Sequence, residues 1–545
     1  MRLQSGTGVW AGTFALGMAL LAASVVAAPG SPGNARARGT KGGILRLNLS
    51  TTDIQSPDPA IDYEFYGGQL LVATCAKLMN YPDKPAPAGS QLVPEVAAGL
   101  PVISNGGRTY TFRVRKSFRF SDGSAVTPAS FRRAIERLVA SKTGSAGISF
   151  ALDIVGADAY NKGKAQHVSG VTTTADTISI RLVKPAPDLI ARLGMNFFCA
   201  VPADTPIDSK GLVVPMAGPY YIFSRVPDKQ VVLKRNPYYH GSRPSNVDEI
   251  VVSTQVPQQA SYLDVQSGKA DYDLGGVPPQ AHEELAKKYG VNKGRYWVHP
   301  SLAVSYYPMN TQRAPFDDPT VRKAVNYAIN RPAVTAQNGF LAGTPSEQIL
   351  PPGIRGYRNA AIYPTQNPNY DKAKQLMAGR QLKATLYTST DQGSSQAAIV
   401  LQQNLKAIGI DLEVKRFSFG ILITKSGVPT EPYDMVGIGW FADYADPQDF
   451  INVLLDGARI TKDNNVNLAR FDDPTFNKRM NAASLLTGSA RYAAYGNLDV
   501  SITRDAAPWA VSNVANTREF VSSRVGCYIY QPAYGAMSLA AACLK

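Results

Sequence analysis

The chain has 545 residues, of which 44% are hydrophobic and 18% are charged, a balance that excludes a disordered protein. This length predicts two to four domains with ample core. The formal net charge is +15, but the basic residues are dispersed and form only short groups, such as the run from Arg113 to Lys116. Nucleic-acid binding needs a concentrated basic stripe with stacking aromatics. We therefore predict a solvated basic surface and no nucleic-acid partner.

The first 28 residues have the pattern of a secretory signal peptide. Arg2 provides a positive start, an apolar run extends from Val9 to Leu21, and Val26 to Ala28 offers a cleavage site of small residues. The stretch from Val9 to Ala28 is also long enough to stay as an uncleaved anchor, and both alternatives remain open. No cysteine lies near the cleavage site to carry a lipid. Residues 29–42 are rich in Pro, Gly and Arg, which predicts a flexible leader.

The four cysteines predict disulfides, as expected for an exported protein. None of them forms a C-x-x-C motif or has a histidine at zinc-ligand spacing, so no metal site is predicted. Four cysteines allow three pairings. Proximity in sequence favours Cys527–Cys543 and leaves Cys75–Cys199, while four free buried thiols remain the alternative.

Apolar patterns in the first half of the chain predict strands separated by helices. Leu45, Leu47 and Leu49 alternate with polar neighbours, as in a strand, while Thr127 and Pro128 suit the start of a helix. The other predicted elements are a helix from Tyr66 to Met79, strands near 110–114, 178–182 and 250–252, a hairpin over 218–235, and a helix near 259–266 that ends at Gly268.

The second half of the chain contains the clearest α/β unit. A strand at Ser305–Asn310 precedes a helix that Asp318 should cap and Pro319 should begin. The same five-residue sequence, Phe-Asp-Asp-Pro-Thr, recurs at 471–475, which we interpret as capping chemistry and not as a repeat. Residues 382–416 form a strand, a helix and a strand whose short connections favour a parallel pair. The predicted fold class is therefore mixed α/β with several lobes.

The stretch from Gly437 to Pro447 has the strongest functional signal. It follows the end of a predicted buried strand and places Trp440, Asp443 and Tyr444 together before a new helix. A carboxylate beside aromatic faces suits a pocket for a cation, such as a free amine, because desolvation strengthens the ion pair. The alternative is a strand-to-helix corner with a buried Trp and a capping Asp. These residues alone leave both interpretations open.

Known catalytic motifs are absent from the sequence. It has no G-x-S-x-G elbow, no H-E-x-x-H and no P-loop. The segment Gly437–Ala442 matches a dinucleotide fingerprint, but its Trp and Phe would crowd the phosphate turn and the nearby aspartates would repel a pyrophosphate. We therefore predict no enzyme activity, no cofactor and no metal. The histidines are scattered without recognisable partners: His167, His240, His282 and His299.

An ordered set of segments from residue 42 onward resembles the family 5 solute-binding proteins of ABC importers, the dipeptide/oligopeptide-binding group. Any one segment is a weak signal, but the ordered set is specific. The segments are Gly42–Leu45, Pro57–Pro59, Leu92–Ala97, Tyr110–Lys116, Phe120–Gly123, Gly218–Tyr221, Arg235–Tyr239, Pro315–Ala324, Asp371–Leu376 and Tyr433–Pro447.

The resemblance implies a periplasmic-binding-protein-like α/β fold (type II, cluster C), with two hinged lobes, an extra lobe and mixed sheets. Lobe I would comprise 43–65, 200–285 and 506–545, lobe II (the extra lobe) 66–199, and lobe III (the ligand-closing lobe) 286–505. Crossing strands near 285 and 505 would form the hinge. The protein would be a monomer, exported to the periplasm or the outer face of the cytoplasmic membrane, that delivers its ligand to an ABC permease.

The resemblance also implies a ligand site. An extended peptide would lie between the lobes, paired with protein strands like an added strand. Asp443 would bind the α-amino group of the ligand, with Trp440 and Tyr444 in their family places and Phe441 beside them as a further ligand-binding residue. Phe417 would be the upstream aromatic that packs on the ligand. Phe441 stands where some members have Cys, so a disulfide at that position is absent.

The same family contains receptors for nickel, haem, sugars and opines, which tend to lack the amine-binding aspartate. Retention of Asp443 favours a peptide ligand, with a non-peptide solute of the same family as the alternative. A more distant alternative is a secreted hydrolase of peptides or cell-wall fragments. That activity would require a nucleophile and base, or a metal cluster, and the sequence offers neither.

Overall fold

The computed structural model describes residues 40–50, 52–208 and 211–545. The predicted signal or anchor at 1–28, and the leader up to residue 39, lie outside the described residues. At the end of that leader, Thr40 forms a β-bridge with Leu544. Within the described chain, no helix is both long enough and apolar enough to cross a membrane.

The predicted mixed α/β fold is confirmed, with strands and helices interleaved along the described chain. The strands are β1 (Ile44–Ser50), β2 (Met79–Asn80), β3 (Val93–Pro94), β4 (Val102–Ser104), β5 (Thr109–Arg113), β6 (Val171–Thr173), β7 (Thr177–Arg181), β8 (Tyr220–Val226), β9 (Gln230–Arg235), β10 (Glu249–Val256), β11 (Tyr272–Asp273), β12 (Tyr296–Pro308), β13 (Gly343–Pro345), β14 (Leu382–Ser389), β15 (Ile410–Phe417), β16 (Met435–Val436), β17 (Ile438–Phe441), β18 (Trp509–Phe520), β19 (Val525–Cys527), β20 (Tyr530–Gln531), β21 (Ala536–Met537) and β22 (Cys543–Leu544).

The helices vary from single turns to four turns in length. They are α1 (Phe65–Thr74), α2 (Pro128–Val139), α3 (Ala157–Asn161), α4 (Leu189–Arg192), α5 (Gln258–Ser267), α6 (His282–Tyr289), α7 (Pro319–Ala328), α8 (Arg331–Ala336), α9 (Tyr370–Met377), α10 (Gln392–Lys406), α11 (Phe419–Ser426), α12 (Gln448–Leu455), α13 (Pro474–Ser484) and α14 (Gly488–Ser501).

Two sheets are built from the first half of the chain. A five-stranded mixed sheet has the order β11-β1-β10-β9-β8, with β1 parallel to both of its neighbours. The alternating Leu45, Leu47 and Leu49 are buried on this sheet, as their spacing predicts. A four-stranded antiparallel sheet has the order β4-β5-β7-β6. Helix α2 belongs to the same core, into which it buries Phe131 and Leu138.

Two further sheets come from the second half. Strands β14, β15 and β16 are parallel, and α10 connects the first two, so the predicted α/β unit at 382–416 is confirmed. The other sheet has the order β13-β18-β12-β17. Its long strands β12 and β18 pair antiparallel, with a register shift between Pro300 and Val304. Strand β17 pairs with β12 on one side only, so within the described chain its other side is a free edge.

Both favoured disulfides are present. Cys75–Cys199 joins the end of α1 to the segment after α4, and Cys527–Cys543 joins β19 to β22. The alternative of four free thiols is therefore wrong. The first of these links lies in a small core cluster that also contains Leu71 and Val201.

Three predicted elements have different limits in the structure. The first helix ends at Thr74 and not at Met79, because Cys75 is extended and the carbonyl of Ala76 accepts a hydrogen bond from the amide of Ala200. The strand predicted at 305–310 is the end of the much longer β12. Trp440 and Phe441 lie within β17, not after a strand, because they pair with β12.

Candidate functional site

A cavity of about 560 Å³ surrounds the side chain of Asp443. It is lined by the turn before α1 and one face of that helix, by β12 at Ser301 and Leu302, and by the end of β17. Met195 to Phe197 and two C-terminal segments, 516–517 and 532–535, complete the wall. The cavity thus lies where elements of several sheets meet, which is a common position for a ligand site.

Asp443 lies two residues beyond the end of β17, where it is half-buried and held by an aromatic and an acidic neighbour. The hydroxyl of Tyr63 donates a 2.7 Å hydrogen bond to its Oδ1. Its backbone N–H donates to Oδ2 of the buried Asp449 at 2.9 Å, and the indole N–H of Trp440 donates to the same oxygen at 3.1 Å. Asp449 therefore fixes both the main chain of Asp443 and the ring of Trp440.

The two carboxylates differ in how they can ionise. Burial raises the pKa of Asp443 to about 6, although the hydrogen bond from Tyr63 lowers it. Burial and the nearby charge of Asp443 hold the pKa of Asp449 well above its usual range. Asp449 is therefore the harder of the two to ionise and positions its neighbours through hydrogen bonds, while Asp443 lines the cavity.

The structure places the other four predicted site residues in four different environments. Phe441 lines the cavity and is 59% exposed. Trp440 packs on the core beside β12, and Tyr444 is buried in the core of the antiparallel sheet, where its hydroxyl donates to Asp188 Oδ2 at 3.3 Å. Phe417 packs on Tyr387, with ring centroids 4.9 Å apart, and does not line the cavity. Direct ligand contacts by Trp440, Tyr444 and Phe417 stay predictions.

A second, smaller cavity of about 170 Å³ lies at the opposite end of β17. Gly437 and Gly439 line it, together with Asp391 at the start of α10 and Phe419. Phe419 is 64% exposed, two residues beyond the predicted Phe417. Phe417 ends β15 and does not line this cavity, whereas Phe419 begins α11 and does.

The turn before α1 contributes site residues that the sequence analysis did not single out. Asp62, Tyr63 and Glu64 all line the larger cavity, and so does Gln69 one helical turn further on. Two acidic residues around a tyrosine before a helix are a weak signal, since acidic residues are common at helix starts. Their meaning depends on what the fold places near them.

This cavity is acidic. Its described lining residues include Asp62, Glu64 and Asp443 but no Lys, Arg or His. Burial, with a contribution from the charge of Glu64, raises the pKa of Asp62 to about 7. In a chain of formal charge +15, three carboxylates line this cavity and its described lining residues include no cation. Among the described residues, no group of three or more His, Cys, Asp and Glu side chains could hold a metal ion.

The fold is shared with solved solute-binding proteins. The structure titled "Clavulanic acid biosynthesis oligopeptide binding protein 2" matches with a TM-score of 0.84 and 24% identity, over 93% of this chain and 96% of that one. The unliganded open form of MppA, a murein tripeptide-binding protein, matches with a TM-score of 0.74 and 24% identity, over 93% and 99%. The chain therefore has the fold of a periplasmic solute-binding protein, as its sequence predicts.

Sequence comparison gives the family. The model described as "Bacterial extracellular solute-binding proteins, family 5 Middle" matches residues 91–462, so the chain belongs to family 5 of these proteins. The periplasmic oligopeptide-binding protein OppA of Salmonella typhimurium is 25% identical over 77% of this chain and 79% of its own. Heme-binding protein A of Haemophilus influenzae is 28% identical over 79% and 80%. These relatives are named as binding proteins and not as enzymes.

Proposed function

We propose that the protein is an extracytoplasmic receptor that captures peptides and delivers them to the permease of an ABC importer. The observation that carries this proposal is the position of Asp443 at one end of the free edge of β17. An α-amino group bound to Asp443 would place the ligand backbone along that edge. The ligand would then continue towards the second cavity at Gly437 and Gly439.

An edge strand offers unpaired backbone groups to an extended ligand, which supports recognition without strong side-chain preference. Gly439 supports this arrangement because it has no side chain to block an extended ligand where β17 lines the second cavity. The strand from Ile438 to Phe441 spans roughly 13 Å at about 3.3 Å per residue. That length corresponds to about four residues of an extended peptide.

The family alone does not decide between a peptide and another solute. Relatives named for peptides and one named for heme are similarly distant in sequence. A structure of AgaA in complex with agropinic acid also shares the fold, with a TM-score of 0.71. The half-buried carboxylate of Asp443 favours a ligand with a free amine. A non-peptide solute with a similar amine is the second candidate.

The remaining parts of the proposal concern the whole molecule. Lobe I would comprise 43–65, 200–285 and 506–545, lobe II 66–199 and lobe III 286–505, with the hinge in the paired strands β12 and β18. The register shift between Pro300 and Val304 lies beside the cavity residues Ser301 and Leu302. Rotation at that irregular pairing would close the cavity. The protein would act as an exported monomer, in the periplasm or on the outer face of the membrane, without turnover of its ligand.

Calorimetry with the purified protein and a free-amine peptide tests this function. Asp443→Asn should weaken binding by about 2–5 kcal/mol, because it removes a charge-assisted contact in a closed cleft. N-acetylation of the peptide should weaken binding to the wild type in the same direction. Asp411→Asn, at an exposed position on β15, is the matched control and should bind like the wild type. Equal affinity of wild type and Asp443→Asn for free-amine peptides would contradict the proposal, as would cleaved peptides in mass spectra.

A further inference from the structure

We propose that Asp62 and Glu64 form a second cation-binding subsite in the cavity, which selects peptides with an Arg or Lys side chain close to their amino terminus. This inference rests on the proposed function, because the α-amino group would occupy Asp443. The two acidic groups are linked by the tyrosine between them. Tyr63 extends from the main chain between Asp62 and Glu64 to its hydrogen bond with Asp443. Both ends of this arrangement line the same cavity.

The first argument is the unsatisfied state of Asp62, which is 96% buried. Its Oδ1 accepts one long hydrogen bond, 3.4 Å from the amide of Glu64. Its Oδ2 is buried and has no hydrogen-bond partner in the described chain. Buried carboxylate oxygens are almost always hydrogen-bonded or paired with a cation. A ligand cation would supply the missing partner.

A second, independent observation comes from Gln69. This side chain lines the same cavity and is 94% buried, yet neither its Oε1 nor its Nε2 has a hydrogen-bond partner among the described residues. A buried amide with both polar atoms free also indicates a site that is completed by a polar ligand. A guanidinium or ammonium group at Asp62 could donate to Oε1 as well.

Helix capping does not account for these acidic side chains. Glu64 occupies the N-cap position of α1 but makes no side-chain capping bond. Gly67, inside the helix, packs against Asp62, and a Cβ at Gly67 would collide with the carboxylate of Asp62. Glycine inside a helix costs roughly 1 kcal/mol relative to alanine. At this position it leaves room for the buried carboxylate of Asp62.

The rim of the cavity favours a cation as well. Phe65 and Phe441 are 45% and 59% exposed, and their ring centroids lie 6.4 Å apart at the mouth. Aromatic faces attract guanidinium and ammonium groups, and they also bind the alkyl part of Arg and Lys side chains. Acidic groups inside an aromatic rim suit a basic side chain better than an apolar one.

The test compares Ala-Arg-Ala with Ala-citrulline-Ala, which has nearly the same shape without the charge. Calorimetry with wild-type protein should give an affinity roughly 10- to 100-fold higher for the Arg peptide, the size of one charged hydrogen-bonded contact. The affinity of wild-type protein for Ala-Lys-Ala should also exceed its affinity for Ala-norleucine-Ala. Asp62→Asn and Glu64→Gln should each reduce the Arg-to-citrulline ratio, while Asp411→Asn should retain it. Glu64 is exposed, so Glu64→Gln keeps the test valid if Asp62→Asn fails to fold.

The outcomes separate the two proposals. A wild-type ratio near one, or a ratio that both variants leave unchanged, would overturn the second subsite. If Asp443→Asn still weakens all free-amine peptides in that case, the proposed function stands. If no peptide binds wild-type protein, the proposed function fails and the subsite fails with it.

Discussion

Asp58 and Asp62 lie four residues apart in the segment before α1, and both are buried, but their partners differ. Asp58 is paired with Arg137, which donates to Oδ1 at 2.9 Å and to Oδ2 at 2.5 Å, and both side chains are fully buried. Asp62 has no ion pair, and its Oδ2 has no hydrogen bond in the described chain. The first aspartate is completed by the protein itself. The second has no such partner among the described residues.

The same contrast between paired and unpaired carboxylates distinguishes a buried ionic cluster from the cavity. Near the cavity, a buried cluster joins Arg243 to Asp83, with Arg243 Nε 2.7 Å from Asp83 Oδ2 and Nη1 3.7 Å from Glu95 Oε1. Burial would raise the pKa of Asp83, but the charge of Arg243 holds it below its usual value. The cavity has acidic groups without such cations. In this comparison the buried cluster pairs its carboxylates with Arg243, while no Lys, Arg or His is among the described residues that line the cavity.

Breaking the ion pair between Asp58 and Arg137 should have the largest effect on stability. Arg137→Met leaves the carboxylate of Asp58 buried without its cation, and such a loss typically costs about 3–5 kcal/mol. We expect that decrease in the free energy of unfolding, measured with urea at pH 7. Peptide affinity of the folded variant should not change, because Arg137 does not line the cavity. A loss of peptide affinity without a loss of stability would contradict the assignment of this pair to the framework.

Removing the charge of Asp62 should instead increase the free energy of unfolding. The pKa of Asp62 is about 7 in the folded protein, above its ordinary value near 4, so the folded state retains the proton to higher pH than the unfolded state. Its ionisation therefore lowers stability progressively as pH rises from about 4 to 7. Asp62→Asn should be more stable than wild type by on the order of 2–4 kcal/mol at pH 8.

The difference should fall below about 1 kcal/mol at pH 4, where the carboxyl group is protonated in the folded state and about half protonated in the unfolded state. Urea unfolding of both proteins at the two pH values measures it. The charges closest to Asp62 are Glu64, which raises its pKa, and Arg225, which lowers it. Arg225 is itself paired with Asp53 at 2.9 Å. An Asp62→Asn variant that is less stable than wild type at pH 8 would show that this carboxylate has a structural partner.

Sequence patterns predicted the locally determined parts of the fold. The parallel unit at 382–416, the cap at Asp318 and the left-handed Gly268 depend on neighbours within a few residues, and all three are confirmed. The sequence could not distinguish Asp58 from Asp62. Both are aspartates before the same helix, and only the fold places Arg137 beside one and a cavity beside the other. Phe419, which lines the second cavity, was not singled out because no sequence pattern there indicated helix α11.

The smallest expected effect concerns Tyr63, which links the two acidic ends of the site. Tyr63→Phe keeps the ring contacts with Phe197 and Phe150, at 5.6 and 6.3 Å, but removes the hydroxyl that donates to Asp443. That hydrogen bond lowers the pKa of Asp443, so its loss leaves the carboxyl group more protonated near pH 6. Affinity for a free-amine peptide at pH 6.5 should fall by about 0.5–1.5 kcal/mol.

At pH 8.5 Asp443 is ionised with or without the hydroxyl, so the two proteins should bind that peptide almost equally. Calorimetry at both pH values measures the difference, and the N-acetylated peptide is the control because it has no amine to pair with Asp443. An equal loss at both pH values would mean that Tyr63 contacts the ligand directly and does not act through Asp443. Tyr63 would then belong to the ligand-contacting surface together with Asp62 and Glu64.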